Sequence, residues 1–280
     1  VILLIRMPRI LAAVLVGTGL AVSGAALQGL FRNPLVSPYI LGVSSGAGFG
    51  AALAILLSLS ALFIQVSAFG FGMAAVVLSI LISSSAQRSG TLTLVLSGII
   101  VSSFFAALIS LLKYAADPTD KLPAIVFWLM GSLTSVSYRE LAIIAPVITV
   151  GVAVLLFFGW QMNVLAMGEE EAHSMGINPK AVKVVVITAS ALITAASVSV
   201  SGIIGWVGLV IPHIARMTVG PDYRKLIPFS ALLGAGYLIL MDDISRSAVS
   251  IEIPLGILTA VIGAPIFAQA MRRSKPGWIG

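Results

Sequence analysis

The sequence predicts an all-α, polytopic membrane protein of about nine transmembrane helices. Three observations carry that class. Of 280 residues, 59% are hydrophobic and only 9% charged, a composition that ordinary soluble domains do not show. The few charges separate long uncharged stretches, and a span needs roughly 20 mostly apolar residues. Lys and Arg also fall unevenly on the two sides that the spans define.

The spans follow in order. Residues 10–31 hold the first. Residues 33–87 are long enough for two, broken near 58–65, and residues 89–112 supply the fourth. The connection 113–140 is the largest on its side; Asp117-Pro118 starts a turn there. Within it, residues 123–133 (PAIVFWLMGSL) are apolar but short, which suits an interfacial or re-entrant helix with Trp128 at the interface. Residues 141–168 hold the fifth span. Residues 184–215 hold two if one is short, broken near 199–202, and 226–241 and 253–271 complete the set. Glycines recur inside the spans, where small residues let helices approach closely. Pro34, Pro38, Pro212, Pro254 and Pro265 mark breaks that lipid tolerates only inside protein or along a cavity. The whole chain, 1–280, reads as one transmembrane domain.

Orientation follows the positive-inside rule. With the C-terminal cluster Arg272, Arg273 and Lys275 placed inside, the inner side also receives Arg32, Arg88, Lys180, Lys183, Arg216, Arg224 and Lys225. Its ten basic residues face four acids, Glu169, Glu170, Glu171 and Asp222, a net of +6. The outer side has Arg6, Arg9, Lys113, Lys121, Arg139 and Arg246 against six acids, a net of zero. The basic pI of about 9.9 is thereby explained without nucleic acid. An odd number of spans leaves the visible N-terminus outside. The chain opens without Met, and one further inward-starting span before it would make ten.

Segment 163–180 (NVLAMGEEEAHSMGINPK) is the longest polar interruption on the inner side. It reads as a short surface helix with Glu169, Glu170 and Glu171 in its first turn, where acids suit the helix dipole, and with Gly176 and Pro179 closing it. A chain with so little soluble mass has small use for such an element unless something docks there. A solvated connector is the plain alternative.

A weak internal echo suggests an inverted repeat of four spans each, joined by the fifth span. Val22-Ser23-Gly24 precedes Pro34 as Val200-Ser201-Gly202 precedes Pro212, and Gly46-Ala47-Gly48 is matched by Gly234-Ala235-Gly236.

Chemistry-bearing motifs are scarce. No GxxxxGK[ST] loop or HExxH occurs, and there is no Cys, so neither a phosphate loop nor a thiolate site is available. His173 and His213 stand alone. His213, near the inner end of a span, reads as a satisfied structural residue. Ser44-Ser45 lacks a convincing paired base, which weakens an intramembrane enzyme. An ion-coupled secondary carrier wants acids deep in the bundle, and none precedes residue 113. Asp242 and Asp243 with Arg246 read as a helix-end ion pair. Arg6 and Arg9 flank Pro8 at the outer mouth and, with Arg246, form a candidate basic rim.

These pieces together resemble the permease subunit of type II ABC importers, the iron-chelate, haem and cobalamin uptake family. The likeness rests on RMPR at 6–9, SGAALQGLFRNPLVSPYILGVSSGAG at 23–48, LVLSGI at 94–99, GEEEAHSMGI at 168–177, GWVGLVIPHIAR at 205–216 and IPLGILTAVIGAPIF at 253–267. It implies a ten-span fold and a multi-pass protein of a bacterial or archaeal cytoplasmic (inner) membrane. Its partners would be a second copy of the chain, two cytoplasmic ATPase subunits that carry ATP and Mg, and a periplasmic or lipoprotein substrate-binding protein. The chain itself would hold no cofactor or metal and would catalyse nothing. Gly168, Glu169, Glu170, Ala172, His173 and Gly176 would form coupling helices, with Ala172, His173 and Gly176 facing the ATPase groove. Arg6, Arg9 and Arg246 would receive acids of the binding protein. Asn33, Leu35, Thr91 and Leu92 would form the cytoplasmic gate, although Leu92 departs from the small polar residue of the cobalamin branch. The carried metal chelate or oxyanion is not readable.

Overall fold

A computed structural model describes residues 2–86, 90–248 and 251–273. A π-helical turn, Ile2–Arg6, leads into α1 (Met7–Leu30), α2 (Val43–Leu56), α3 (Ala61–Ser85), α4 (Thr91–Ala115) and α5 (Lys121–Met130). Then come α6 (Tyr138–Phe157), α7 (Gly159–Met167), α8 (Glu169–Ser174), α9 (Pro179–Ser201), α10 (Val207–Val219), α11 (Tyr223–Ser247) and α12 (Leu255–Arg273). Six of these, α1, α3, α4, α6, α9 and α11, are long and apolar enough to cross a membrane. The other three expected spans are the shorter helices α2, α10 and α12. Arg88 and Lys275, two of the inner-side charges, lie outside the described residues.

The core is built around α1 and α9. In each, 72% of the most apolar 18-residue stretch is buried, against 22% in α4. Lipid is as apolar as a Leu side chain, so close backbone approach is what holds membrane helices together. Here it is extreme. A Cβ added at Gly24 of α1 would lie 1.8 Å from the carbonyl oxygen of Gly208 in α10. Two turns earlier on the same face, one added at Gly17 would lie 2.3 Å from the carbonyl oxygen of Gly234 in α11. Ala would force both crossings apart.

The helices repeat. α1 to α4 run 24, 14, 25 and 25 residues, and α9 to α12 run 23, 13, 25 and 19. Packing repeats with them: α1 lies on α11 as α9 lies on α3, and α1 on α10 as α9 on α2. Likewise α2 packs on α3 and α4 as α10 packs on α11 and α12, and the joining helix α6 touches both α1 and α9. α1 and α9 start at opposite ends of the bundle, so the relation is an inverted one. One part of the sequence echo is misplaced. Gly46-Ala47-Gly48 lies in the second helix of its set and Gly234-Ala235-Gly236 in the third of the other.

Two irregular stretches sit among the spans, residues 31–42 and 202–206. Their polar backbone is satisfied within the protein, as lipid requires. The Tyr39 hydroxyl donates to the Ile204 carbonyl at 2.6 Å, and the Ser79 hydroxyl to the Leu41 carbonyl at 3.0 Å. The short apolar helix expected at 123–133 is α5, which starts two residues earlier and ends three earlier, before Gly131 at φ +77°.

Candidate coupling segment and outer hub

Segment 163–180 is three pieces rather than one helix: the end of α7, all of α8 and the start of α9. α8 begins after Gly168 and has Glu169, Glu170 and Glu171 in its first turn, as expected. Gly176, at φ +76°, ends it, a conformation that disfavours any side chain. Pro179 does not close this helix; it opens α9, whose cap is the Asn178 side chain accepting from the N–H groups of Lys180 and Ala181 at 3.1 and 3.2 Å. Such a cap contributes about 1 kcal/mol.

Three ties fix this segment to the bundle. Lys183 of α9 donates to Glu169 at 2.5 Å. The Arg32 guanidinium, just past α1, donates to the Leu165 carbonyl of α7 at 2.8 Å. Asn163 of α7 donates to Asp222 at 2.6 Å and accepts from the Tyr223 N–H of α11 at 2.8 Å. The hydrogen bond from Lys183 holds the Glu169 carboxyl below its ordinary range, with the Lys183 and Arg32 charges adding to it. Asp222 is lowered likewise, first by Asn163.

The exposed face of the segment carries Glu169, Glu170, Glu171 and His173, flanked by Met167 and Met175. Gly176 is exposed too. Ala172 is not on that face: it is 0% exposed and packs into the chain's own core. Of the four residues expected at a cytoplasmic gate, Thr91 lines a cleft with Phe31, Glu169 and Lys183. Asn33, Leu35 and Leu92 are exposed outside it. Asn33 accepts from the Leu35 N–H at 2.9 Å, shaping the turn after α1.

The opposite end holds an ion-pair hub. Arg9 is buried and is not part of an exposed rim. It donates to both oxygens of Asp242 at 2.8 and 2.9 Å and to both oxygens of Glu252 at 2.9 and 3.2 Å. A guanidinium at this depth must be paired, and two carboxylates compete for its five donors. The Thr134 hydroxyl donates to Glu252 at 2.5 Å. Arg9 first, then Thr134, holds the Glu252 carboxyl below its usual range against partial burial. Arg246 pairs with Asp243 and lies 3.4 Å from Asp242. The helix-end pair is present, then, but Asp242 belongs chiefly to Arg9. Arg6, which precedes α1, is exposed. His213 differs as well: it is buried against Phe267, yet neither ring nitrogen has a hydrogen-bond partner among the described residues.

An all-helical bundle with an inverted repeat, membrane-capable spans and a polar segment tied to both repeats defines a multi-pass permease of the cell membrane. The chain belongs to the FecCD transport family, whose profile matches residues 1–273. It is similar to the molybdate import system permease protein MolB of Haemophilus influenzae, 45% identical over 279 residues, 99% of this chain and 82% of that one. The cobalamin import system permease protein BtuC of Halobacterium salinarum is 42% identical over 269 residues, 96% and 72% of the two chains. A solved structure of an inward-facing, metal-chelate type ABC transporter superposes with a TM-score of 0.93 at 43% identity, covering 98% of this chain and 88% of that one. The chain is therefore a permease of the ABC importers that carry metal chelates, cobalamin, haem or molybdate.

Proposed function

We propose that two copies of this chain form a gated conduit that passes a metal chelate or oxyanion from outside the cell to the cytoplasm. ATP is bound and hydrolysed by two partner subunits at the inner face, and a binding protein delivers the substrate at the outer face. The chain itself holds no nucleotide and does no chemistry. Its two arrangements, open outward and open inward, are shifted by the partner's closure, which acts through differential contact with them.

The observation that supports this best is the three-way anchoring of segment 163–180. The exposed, acid-rich helix α8 is bonded to α9, and α7 just before it is bonded to the end of α1 and the start of α11. Force applied to it reaches both repeats. Glu170, Glu171 and His173 are exposed toward the ATPase side, while at the outer face Arg6 is exposed and Arg246, paired with Asp243, would have to share that partner to meet the binding protein. Charge complementarity of this kind steers encounter and sets register.

Gly176→Trp tests the reading. It forces a bulky side chain onto an exposed left-handed position with nothing within 4 Å of an added Cβ. The expected result is intact membrane insertion with loss of both uptake and delivery-stimulated ATP hydrolysis. Normal uptake would refute it. Uptake in liposomes driven by an ion gradient alone would replace it with a secondary carrier.

A further inference from the structure

α12 is held unevenly along its length. Its outer end is pinned through the backbone. The Leu255 N–H donates to the Gly131 carbonyl at 2.9 Å. A Cβ added at Gly256 would lie 2.4 Å from the Met130 carbonyl oxygen and 2.7 Å from that of Ile203. Further in, α12 rests on one face of α10, where Trp206, Val210 and His213 recur at helical spacing. Gly263 and Phe267 of α12 meet that face. A Cβ added at Gly263 would lie 2.9 Å from the Trp206 Cβ. The Phe267 ring stands edge-on to both aromatic neighbours, its centroid 6.5 Å from that of Trp206 and 5.3 Å from that of His213.

This seam contains two unfavourable features side by side. Trp206 has φ +68° and ψ −30°, a conformation that bulky side chains avoid. Gly205, directly before it, does not take a positive φ, so the strain falls on the residue less suited to it. His213 is 6% exposed, and both of its ring nitrogens are enclosed with no partner among the described residues. One turn on, Arg216 Nη2 is enclosed and unpartnered as well. Enclosure means that no group from outside the chain reaches the imidazole in this packing. A neutral imidazole has one donor and one acceptor, and both lose the hydrogen bonds that water would give them.

Strain of this kind persists only where the surroundings impose it. Here α12 imposes it: Phe267 covers His213, and the backbone at Gly263 presses on Trp206. Beyond α10, the main neighbours of α12 are α11 and α5. We propose that Trp206 and His213 form a loaded contact. Packing the inner half of α12 onto them holds the seam in an unfavourable state, which relaxes when α12 tilts about its pinned outer end. The tilt uncovers the imidazole and lets Trp206 return to a negative φ. His213 is then a residue that sets the balance between two packings of α12, rather than one that cements the core. Assigning the tilted packing to one of the two transport arrangements rests on the proposed function; the loaded contact itself does not.

The chain contains no Cys, so spin labels at Lys225→Cys on α11 and Gln269→Cys on α12, both exposed, report the tilt without background. Double electron–electron resonance on the purified chain in nanodiscs should resolve two distances, one of them that of the packed seam. His213→Phe keeps a ring and removes the enclosed donor and acceptor, so the packed population should rise roughly fivefold relative to the tilted one. His213→Leu repeats the test without added bulk and should shift the balance the same way. His213→Gln keeps an enclosed polar group and should stay near the wild-type balance. A single distance in the wild-type chain would overturn the proposal. So would an unmoved balance in both apolar variants, or a shift of either toward the tilted packing. None of these readouts involves ATP hydrolysis, so failure of the coupling role would register separately, in the Gly176→Trp transport assay.

Discussion

Arg9 decides between two uses of an outer cation, and one substitution separates them. Arg9→Met removes four hydrogen bonds and leaves the Asp242 carboxyl, with a side chain only 3% exposed, without its main cation. Taking away one partner of a buried, hydrogen-bonded ion pair costs about 3–5 kcal/mol, much of it from the charge left behind. Arg246 remains 3.4 Å from Asp242 and offsets part of this, so the expected loss is about 3 kcal/mol. Arg9→Met combined with Asp242→Asn removes the stranded charge and should recover about 2 kcal/mol, a coupling of the size contacting residues show. Equilibrium unfolding in mixed micelles with increasing SDS measures both. Arg6→Glu is the contrast, because Arg6 is exposed: it should leave stability unchanged and weaken capture of the binding protein, more so at low salt. If Arg9→Met unfolds like the wild type, or the double variant is no better than the single, Arg9 is not a structural hub.

Other outcomes follow from the same geometry. The Glu252 carboxyl is held low by Arg9 in the folded state. Its contribution is therefore complete above its unfolded value of about 4.3 and is lost as pH falls through the folded value. The unfolding midpoint should stay flat from about pH 7 to 5 and drop below about pH 4, less steeply in Glu252→Gln. Gly24→Ala drives a Cβ to within 1.8 Å of the Gly208 carbonyl oxygen and should destabilise by about 3 kcal/mol or more in the same unfolding assay. Gly236→Ala, with nothing within 4 Å, should stabilise by up to about 1 kcal/mol. Glu169→Gln breaks a partly exposed pair that contributes about 1 kcal/mol at most. Stability should barely change, while binding-protein-stimulated ATP hydrolysis, measured in liposomes, falls.

Hydropathy made the spans legible because lipid leaves no other choice for uncharged stretches of this length. The break expected near 58–65 falls at residues 57–60, and that near 199–202 falls at 202–206. Gly176 showed the end of α8, since a glycine after a polar turn is the cheapest left-handed residue. Pairings across the chain were not legible. Arg9 and Asp242 are 233 positions apart, and nothing local distinguishes a paired arginine from a free one. Ala172 was open to a correct reading: in the run EEEAHS it is the one apolar residue, and a surface helix turns such a residue inward. The capping box of α6, Ser137 with Glu140, is likewise written in four consecutive residues.

The distribution of ties indicates which parts are free to move. At the outer end, Arg9 joins α1 to α11 and to Glu252, three residues before α12. At the inner end, segment 163–180 joins α1, α9 and α11. The glycine crossings lock α1 against α10 and α11 between these ends. α4 takes no part in the ion-pair hub or the 163–180 ties, but it has a close crossing of its own: a Cβ added at Gly98 would lie 2.0 Å from the Ile40 carbonyl oxygen. It packs only on α2 and α3 among its principal neighbours, and most of its surface is exposed. Its first residue, Thr91, nonetheless borders the cleft that Glu169 and Lys183 line. Moving α4 together with the α2–α3 pair it packs on would leave the outer hub and the 163–180 ties intact. On the proposed function, a push on α8 would reach α4 by reshaping the cleft that Glu169, Lys183 and Thr91 share.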